Sequence, residues 1–196
     1  MKRRDPRPDA PSGRVRIIGG TLRNSRLDVA GAAGLRPTPE RVRETVFNWL
    51  APLISGARCL DVCAGTGALG IEALSRGAAS VVFVERDPHV ARALGENLLR
   101  LKTPGGTVHT GSAQDYLRRT AQPFDVVFLD PPFALDLWST LAHGLEAAGW
   151  LAPAAMIYVE SPCAAVPALP PRWQVYREAV AGAVRYALYR RGPLGD

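Results

Sequence analysis

The segment 59–70, which reads CLDVCAGTGALG, constrains the fold of this chain more than any other. A short apolar run ends in a carboxylate, Asp61, and a turn of small residues leads into a helix-forming segment. This order predicts the end of a buried strand, a tight loop and the N-terminus of a helix. In open parallel α/β sheets, nucleotide-like ligands bind at that edge. The segment therefore predicts a nucleotide-binding site on a parallel sheet.

The rest of the chain alternates between strand and helix patterns. Apolar runs at 80–85 and 124–129 are typical of strands buried inside a parallel sheet. Asp87 and Pro88 predict the start of a helix that continues to about residue 101. Shorter patterns predict strands at 58–62, 107–109 and 155–160, helices at 67–76, 113–119 and 137–148, and an antiparallel pair at 173–179 and 183–190. The alternation predicts a three-layer α/β domain with a mostly parallel sheet.

The N-terminal section is strongly basic. Eleven of the 24 Lys and Arg residues fall within the first 43 residues, and the net charge is +6. Such a section suits a polyanion such as nucleic acid, although a solvated surface would also explain it. We predict a mobile basic tail at 1–14, a β-hairpin with its loop at 15–37, with strands at 15–20 and 26–29, and the main domain at 38–196. Thr38 is the expected N-cap of a helix that runs from Pro39 to about residue 51.

Several classes of protein are disfavoured by the composition. The three cysteines form no C-x-x-C pair and are expected to be buried free thiols of a reducing cytosol. The three histidines have no metal-ligand spacing, so no metal site is expected. The basic N-terminus is followed by no apolar signal region, and no apolar run of 18 residues occurs. The chain is therefore expected to be cytoplasmic, with no membrane partner.

Two nucleotide classes compete for the glycine-rich loop. Gly65, Gly67 and Gly70 match the dinucleotide fingerprint, but a pyrophosphate would be repelled by Asp61 four residues earlier. The carboxylate suits the amino group of S-adenosylmethionine, and Glu85, 24 residues later, suits a ribose diol. A plain turn with a helix-capping Asp61 is the structural alternative. We predict an S-adenosylmethionine site, with S-adenosylhomocysteine as product. Its residues are Asp61, Ala64, Gly65, Thr66, Gly67, Glu85 and Arg86.

The segment after the third strand is expected to edge the adenine ring. Ser112 and the backbone of Ala113 are the candidates for a contact with the adenine amino group. Ser112 is an equally good N-cap for the helix that follows, and the sequence does not choose between these roles.

The tetrad 130–133, Asp-Pro-Pro-Phe, follows the fourth strand at the same edge of the sheet. The Asp130 side chain and the Pro131 carbonyl can accept hydrogen bonds from both N–H groups of a planar exocyclic amine. These bonds would hold the lone pair of the amine nitrogen toward a methyl group. Pro132 stiffens the turn. Phe133 offers a face to a flipped base. We predict these four residues as the catalytic ones, with positioning as the main source of rate; a plain Pro-Pro turn is the alternative.

At this point the sequence resembles a known family, the bacterial 16S ribosomal RNA guanine-N2 methyltransferases. The matching stretches are residues 36–50 (RPTPERVRETVFNWL), 60–77 (LDVCAGTGALGIEALSRG), 130–133 (DPPF) and 157–160 (IYVE). The resemblance covers about residues 14–191, and the first stretch is its most specific part. Ser112 departs from it, because Asn or Asp is commoner there.

The resemblance implies a monomeric Rossmann-like methyltransferase. Its expected fold is a seven-stranded, mostly parallel sheet with helices on both faces, an antiparallel last strand and a small N-terminal hairpin. The implied substrate is 16S rRNA in the small ribosomal subunit or a late assembly intermediate. Candidate RNA-binding residues, by charge and place, are Arg16, Arg23, Arg36, Thr38, Arg41 and Arg43. Arg36, Arg41 and Arg43 could alternatively support the 130–133 turn, and Glu160 either faces the substrate pocket or is structural.

Three rival functions remain open at this stage. The same tetrad would serve a methyltransferase for adenine N6 or for a protein glutamine, although Asp130 counts against glutamine. A non-catalytic RNA-binding factor would have a decayed cofactor site, which the intact Asp61, Glu85 and Asp130 disfavour. A nicotinamide dehydrogenase is disfavoured by Asp61.

Overall fold

The computed structural model describes residues 13–30 and 38–193. The strands are β1 Gly13–Arg16, β2 Arg26–Val29, β3 Arg58–Asp61, β4 Ser80–Glu85, β5 Gly106–Thr110, β6 Phe124–Leu129, β7 Leu151–Pro162, β8 Trp173–Ala181 and β9 Val184–Arg191. The helices are α1 Glu40–Leu50, α2 Ala68–Ser75, α3 Pro88–Arg100, α4 Ala113–Tyr116 and α5 Trp138–Ala147, and a 3-10 turn spans Phe133–Leu135.

A seven-stranded sheet has the strand order β5-β4-β3-β6-β7-β9-β8. β5, β4, β3, β6 and β7 pair in parallel, and β9 runs antiparallel to both β7 and β8. The chain moves outward in one direction from β3 to β4 and β5, and then returns to the other side of β3 with β6. This reversal places a crevice at the carboxyl end of β3, where ligands bind in open α/β sheets. The predicted fold class is confirmed.

The sheet carries a separate hydrophobic core on each face. α1, α2 and α3 cover one face, with Phe47, Leu94 and Phe128 among the buried residues. α4 and α5 cover the other face, where Leu141 and Trp150 are buried. Helices on both faces are what a parallel sheet requires, because its strands are apolar on both sides.

The N-terminal hairpin of β1 and β2 packs against the first of these faces. Its apolar side chains, including Ile17 and Leu27, join the core formed with α1 to α3. The Asn97 side chain of α3 bonds the backbone N–H and carbonyl of Asp28, at 3.1 and 2.9 Å. The hairpin is therefore fixed to α3. β1 ends at Arg16, earlier than the predicted residue 20, because the chain turns away after Ile17 pairs with Ser25.

Two other predicted boundaries changed. β7 begins at Leu151 rather than at 155, because an irregularity between Phe124 and Val126 lets Leu151 pair with Phe124 while Met156 pairs with Val126. α4 ends at Tyr116 rather than at 119. The predicted Asp87 cap is confirmed, since its carboxylate accepts bonds from the N–H groups of His89 and Val90. Residues 13 and 14 of the predicted tail belong to β1. Positions 1–12 and the segment 31–37, which was predicted to be a loop, lie outside the described residues.

The cysteines are free, but their exposure differs from the prediction. Cys59 is buried, Cys63 is half-buried and Cys163 is exposed. Burial raises the pKa of Cys59 to about 12 and raises the pKa of Cys63 as well, so both are thiols at neutral pH. Within the described residues there is no group of His, Cys, Asp or Glu arranged to hold a metal ion, and no helix suited to crossing a membrane.

Candidate active site

Four carboxylates stand in a row along the carboxyl edge of the sheet: Glu85, Asp61, Asp130 and Glu160, from β4, β3, the end of β6 and β7. Asp61 pairs with Phe83 and Phe128, so it lies two residues short of Glu85 and Asp130. Leu129 pairs with Val159, which places Asp130 beside Glu160. Side chains alternate along a strand, so these registers put all four on the face covered by α1 to α3. We call this set the carboxylate row.

Glu85 is fixed by backbone donors from the loops on either side of it. The N–H of Gly65 bonds one carboxylate oxygen and the N–H of Asp87 bonds the other, both at 2.8 Å. The N–H of Gly111 bonds the carbonyl of Glu85 at 2.9 Å, which brings the loop after β5 to the same place. A carboxylate has about four acceptor positions, so Glu85 can still accept bonds from a ribose diol.

Asp61 is a buried carboxylate at the switch point of the sheet. Its side chain is 2% exposed and accepts a 3.2 Å bond from the N–H of Gly70 in α2. Burial raises the pKa of Asp61 to about 7, and the charge of Glu85 adds to the rise. A positively charged ligand group beside Asp61 would reverse this shift, whereas a pyrophosphate would strengthen the repulsion. The site therefore fits the amino group of S-adenosylmethionine and not a dinucleotide.

The glycines of the loop are required by the fold itself. Gly65 and Gly67 have φ angles of 52° and 74°, in the left-handed region that favours glycine. A Cβ on Gly67 would lie 2.2 Å from the side chain of Leu94, and one on Gly70 would lie 2.2 Å from Phe83. Turn geometry and close packing thus account for these glycines, and the case for a ligand rests on the carboxylates.

The other residues predicted to bind the cofactor differ in their exposure to solvent. Ala64, Thr66 and Ala113 are buried, and Arg86 is exposed. Ser112 is the N-cap of α4: its hydroxyl accepts a bond from the N–H of Asp115 and donates one to the Asp115 carboxylate at 2.7 Å. The capping alternative is therefore confirmed. A contact of residues 112 and 113 with adenine stays a prediction.

The tetrad 130–133 leaves β6 and enters the 3-10 turn. Pro131 is buried, whereas Phe133 is 39% exposed. The Phe133 ring lies 5.5 Å from the ring of Trp138, and the indole N–H of Trp138 donates to the carbonyl of Glu160 at 2.7 Å. The turn is thus tied to β7, and the Phe133 residue is partly open to solvent. That exposed ring is available for stacking with a base.

Asp130 is bonded by a side chain from the start of α1. The Thr38 hydroxyl donates to the Asp130 carboxylate over 3.3 Å. Burial raises the pKa of Asp130 well above its usual value, the charges of Glu160 and Asp61 add to the rise, and the Thr38 bond opposes it. Glu160 in turn accepts a 2.8 Å bond from the hydroxyl of Tyr158. The end of the row at Asp130 and Glu160 therefore holds two neighbouring acids, and the Asp130 carboxylate is more basic than usual. We call this end the acceptor half of the row.

The prediction that Thr38 caps α1 is wrong. Pro39 occupies the N-cap position and no side chain caps the helix. Thr38 is only 7% exposed, so it is also unsuited to the predicted direct RNA contact. Its hydroxyl instead donates to Asp130, because the tertiary fold brings the end of β6 to this point, and a hydrogen bond to a carboxylate is stronger than one between neutral groups.

The prediction that Arg43 binds RNA is also corrected, because its side chain is 1% exposed. Its guanidinium donates to the carbonyls of Arg16 and Thr38 at 2.9 and 3.2 Å and lies 3.5 Å from the Glu72 carboxylate. Burial lowers the pKa of Arg43, and Glu72 opposes this. The alternative role as a support for the tetrad agrees with this geometry, since Arg43 holds the residue that bonds Asp130.

The remaining predicted RNA-binding residues lie on the surface. Arg16, Arg23 and Arg41 are exposed, and Arg16 forms a 2.7 Å ion pair with Glu40. Arg36 lies outside the described residues. Their contact with RNA stays a prediction.

Glu72 is an important residue that sequence reasoning missed. Its carboxylate accepts bonds from the N–H groups of Ile18 and Gly19 and pairs with Arg43 and Arg76, so it joins the hairpin, α1 and α2. A signal was present: it is the single charged residue of ALGIEALS, a helix whose residues are all buried. A buried charge of this kind needs partners.

Comparison with known proteins decides the family. The profile described as "conserved hypothetical protein 95" matches residues 15–190. The chain belongs to this family. An Escherichia coli K12 protein named ribosomal RNA small subunit methyltransferase D is 48% identical over 186 residues, which is 94% of each chain. The family predicted from the sequence is confirmed.

Two solved structures share the fold of this chain. The YhhF protein of Escherichia coli is 45% identical and superposes with a TM-score of 0.87 over 92% of this chain and 99% of that one. An RNA methyltransferase from Salinibacter ruber, solved with S-adenosyl-L-homocysteine, has a TM-score of 0.64 over 82% of this chain and 97% of that one. At 17% identity this second likeness shows the fold alone.

Proposed function

We propose that this protein transfers a methyl group from S-adenosylmethionine to the exocyclic N2 amine of a guanine in the 16S rRNA of the small ribosomal subunit. Family membership and 48% identity to a small-subunit rRNA methyltransferase make it an S-adenosylmethionine-dependent rRNA methyltransferase. The observation that carries the proposal is the carboxylate row, in which the acids predicted to bind the cofactor and the Asp130 tetrad lie on adjacent strands.

The cofactor half of the row consists of Glu85, Asp61 and the loops beside them. When bound, S-adenosylmethionine supplies a methyl group activated by its sulfonium. Glu85 would accept hydrogen bonds from both hydroxyls of the ribose, and Asp61 would pair with the amino group of the methionine part. Residues 112 and 113 would edge the adenine ring. The backbone bonds that already fix Glu85 mean that little ordering is needed on binding.

The acceptor half orients the amine. The Asp130 carboxylate and the Pro131 carbonyl accept the two N–H groups, which turns the nitrogen lone pair toward the methyl group. Pro131 and Pro132 lack N–H groups that would compete for these acceptors. Phe133 stacks with the flipped base. After transfer the nitrogen must lose a proton, and the raised pKa of Asp130 makes it a suitable acceptor.

The exposed arginines of the hairpin and α1 would contact phosphates. Arg16 and Arg23 lie on or beside the hairpin, and Arg41 lies on the first turn of α1, near the Thr38 that bonds Asp130. Phosphate contacts position an RNA without reading its sequence. We propose that the hairpin segment 15–37 acts as an RNA-docking unit on the domain 38–196. We further propose that the protein is a cytoplasmic monomer that acts on small subunits or late assembly intermediates.

The proposal is tested by transfer of labelled methyl groups to small subunits from a strain that lacks the modification. The digest should contain labelled N2-methylguanine, and Asp130→Ala should give none. Parallel reactions with naked 16S rRNA compare the two forms of the substrate, with faster labelling of subunits expected. Label in N6-methyladenine or in protein glutamine would overturn the proposed acceptor.

A further inference from the structure

Glu72 is a buried acid of α2 to which the proposed chemistry assigns no role. Its side chain is fully buried, and each of its carboxylate oxygens meets one backbone N–H of the hairpin segment and one arginine. Oε1 accepts hydrogen bonds from Gly19 and from Arg76, both at 2.8 Å. Oε2 accepts from Ile18 at 2.8 Å and from Arg43 at 3.5 Å. A single carboxylate therefore joins the hairpin segment to α1.

Stability alone is a weak reason for a buried ion pair between Glu72 and Arg43. Every residue of α2 is buried. In such surroundings, replacing both members of an ion pair with well-packed apolar residues is often neutral or stabilising. The pair therefore favours a role beyond stability, and the other contacts of Arg43 indicate what that role is.

The guanidinium of Arg43 extends the contact from Glu72 to the start of α1. Its Nε–H donates to the carbonyl of Thr38 at 3.2 Å, and its two terminal nitrogens donate to Glu72 and to the carbonyl of Arg16. Because a guanidinium is planar and rigid, a carboxylate that meets one terminal nitrogen also sets the direction of the Nε–H bond. No side chain caps α1. The bond from Arg43 therefore holds Thr38 in place just before the helix begins.

These contacts end at the acid that is proposed to orient the amine. The Thr38 hydroxyl donates to Oδ2 of Asp130 at 3.3 Å. A carboxylate held at one oxygen has a defined plane, so it can meet an amine N–H in one orientation. Precise placement of reacting groups is a large source of rate, and small displacements are costly. The contacts run from α2 to the end of β6, and we call this set the support chain: Glu72, Arg43, Thr38 and Asp130.

We propose that Glu72 is a positioning residue for methyl transfer, which acts through Arg43 and Thr38 to orient the carboxylate at the end of β6 toward the acceptor amine. This inference rests on the proposed function and deepens it. The same Glu72 carboxylate holds the backbone of Ile18 and Gly19. The hairpin segment, proposed to dock RNA, is thus tied to the acid that orients the amine.

The test replaces Glu72 with glutamine, which keeps the shape of the side chain and removes its charge. Arg43 then lacks the carboxylate that directs its guanidinium, so the Thr38 hydroxyl is no longer held against Asp130. We expect single-turnover methyl transfer to small subunits, at saturating S-adenosylmethionine, to fall by about 10-fold. The affinity for S-adenosylmethionine, measured by calorimetry, should stay close to that of wild type.

The pH dependence of kcat/KM gives a second measurement. Glu72→Gln leaves in place the titratable groups that face Asp130, which are Asp61 and Cys63 at the end of β3, and Tyr158 and Glu160 on β7. The Thr38 bond lowers the pKa of Asp130, so losing that bond raises the pKa. A raised pKa moves the rising limb of kcat/KM to higher pH.

The direction of this movement separates positioning from a direct effect of charge. Removing the negative charge of Glu72 would by itself favour the ionised form of Asp130 and move the limb to lower pH. Losing the Thr38 bond moves the limb to higher pH. We therefore expect Glu72→Gln to move the limb to higher pH, and a movement to lower pH would contradict the inference.

A double-mutant cycle with Thr38→Val tests whether Glu72 acts through Thr38. When Thr38 is already valine, Glu72→Gln should move the limb no further, because the contact through which it acts is absent. Equal movements in the two backgrounds would show that Glu72 acts by another route, and would overturn the inference.

The matched control is Arg76→Gln, because Arg76 meets the other oxygen of the same carboxylate. It should lower the free energy of unfolding and leave both the rate at saturation and the limb unchanged. A limb that moves as far in Arg76→Gln as in Glu72→Gln would mean that any disturbance of α2 displaces Asp130, and would contradict the specific role of Glu72.

If Glu72→Gln fails to fold, Arg43→Lys decides. Lysine keeps a cation beside Glu72 but lacks the planar fork that reaches the Thr38 carbonyl at the same time. A limb that moves to higher pH supports the inference, and an unmoved limb overturns the inference alone. A wild-type protein that transfers no methyl group to small subunits overturns the proposed function, and the inference with it.

Discussion

The two halves of the carboxylate row are held in place by different means. In the cofactor half, backbone N–H groups fix the acids: Gly65 bonds Glu85 and Gly70 bonds Asp61, at separations of 20 and 9 residues along the chain. In the acceptor half, a side chain fixes the acid: the Thr38 hydroxyl donates to Asp130, which lies 92 residues later in the chain. Substitutions other than proline leave a backbone N–H in place, but they can remove a hydroxyl. The contacts that hold Asp130 therefore depend more on side-chain identity than the contacts that hold Glu85 and Asp61 do.

Removing the acid of the acceptor half should have the largest effect on the rate of methyl transfer. Asp130→Ala deletes the group that we propose orients the amine and accepts its proton, so single-turnover methyl transfer should slow by about 10³-fold or more. Calorimetry should show nearly unchanged binding of S-adenosylmethionine, since Asp130 lies one strand beyond Asp61. Wild-type turnover in this variant would refute the assigned role.

Arg43 and Arg41 lie two residues apart in α1, and replacing them should change the free energy of unfolding by different amounts. Arg43→Ala leaves the buried Glu72 with fewer partners and removes the bonds to the carbonyls of Thr38 and Arg16. Breaking a buried pair in this way should lower the free energy of unfolding by about 3 kcal/mol, measured by denaturant titration.

The control for Arg43 is Arg41→Ala, because Arg41 is exposed on the same helix. Its free energy of unfolding should stay within about 0.5 kcal/mol of wild type. Its affinity for small subunits should fall, with a salt dependence reduced by about one phosphate contact. Equal losses of stability in the two variants would contradict the buried role of Arg43.

Glu85→Ala tests the cofactor half. It removes the acceptor for the ribose diol and releases the N–H groups of Gly65 and Asp87. Since each of the two proposed hydrogen bonds to this charged group is worth about 1.5–3 kcal/mol, affinity for S-adenosylmethionine should fall by at least about 100-fold. Calorimetry measures this change, and an affinity within about 3-fold of wild type would show that Glu85 is not a ligand.

Thr38→Val, which preserves shape, should have the smallest effect. Removing the hydroxyl takes away a bond that lowers the pKa of Asp130, so that pKa should rise. In the proposed mechanism, the ionised carboxylate of Asp130 is the form that accepts hydrogen bonds from the amine. The rising limb of kcat/KM against pH should therefore move to higher pH, with a loss of about 10-fold on that limb. A limb that stays in place or moves to lower pH would contradict the Thr38 contact.

The cofactor half was predictable from the sequence because its signals are local. Asp61 and Glu85 each end an apolar strand pattern, and the small residues between them specify one turn. Asp87 was predictable as a cap for the same reason. The tetrad at 130–133 was found through its residue types and its place after a strand, although its partners were not.

The side chains that support the acceptor half could not be predicted from the sequence, because one residue type serves several purposes. Ser112 and Thr38 both precede helices, yet only Ser112 caps, where Asp115 three residues later completes the cap. Thr38 has Arg41 in that place and bonds Asp130 instead. Arg43 was predicted to bind RNA together with Arg41, and that prediction was wrong. Its position three and four residues before the buried Val46 and Phe47 is the signal that could have separated it from Arg41.

The most direct test of the division between the halves compares Glu85→Ala with Asp130→Ala as the cofactor concentration is raised. Single-turnover transfer to small subunits is measured from limiting to saturating S-adenosylmethionine. We predict that Glu85→Ala recovers most of the wild-type rate at saturation, because its defect is in binding. Asp130→Ala should remain at least about 10³-fold slower at every concentration. Equal recovery of both variants, or of neither, would contradict the separate roles assigned to the two halves of the row.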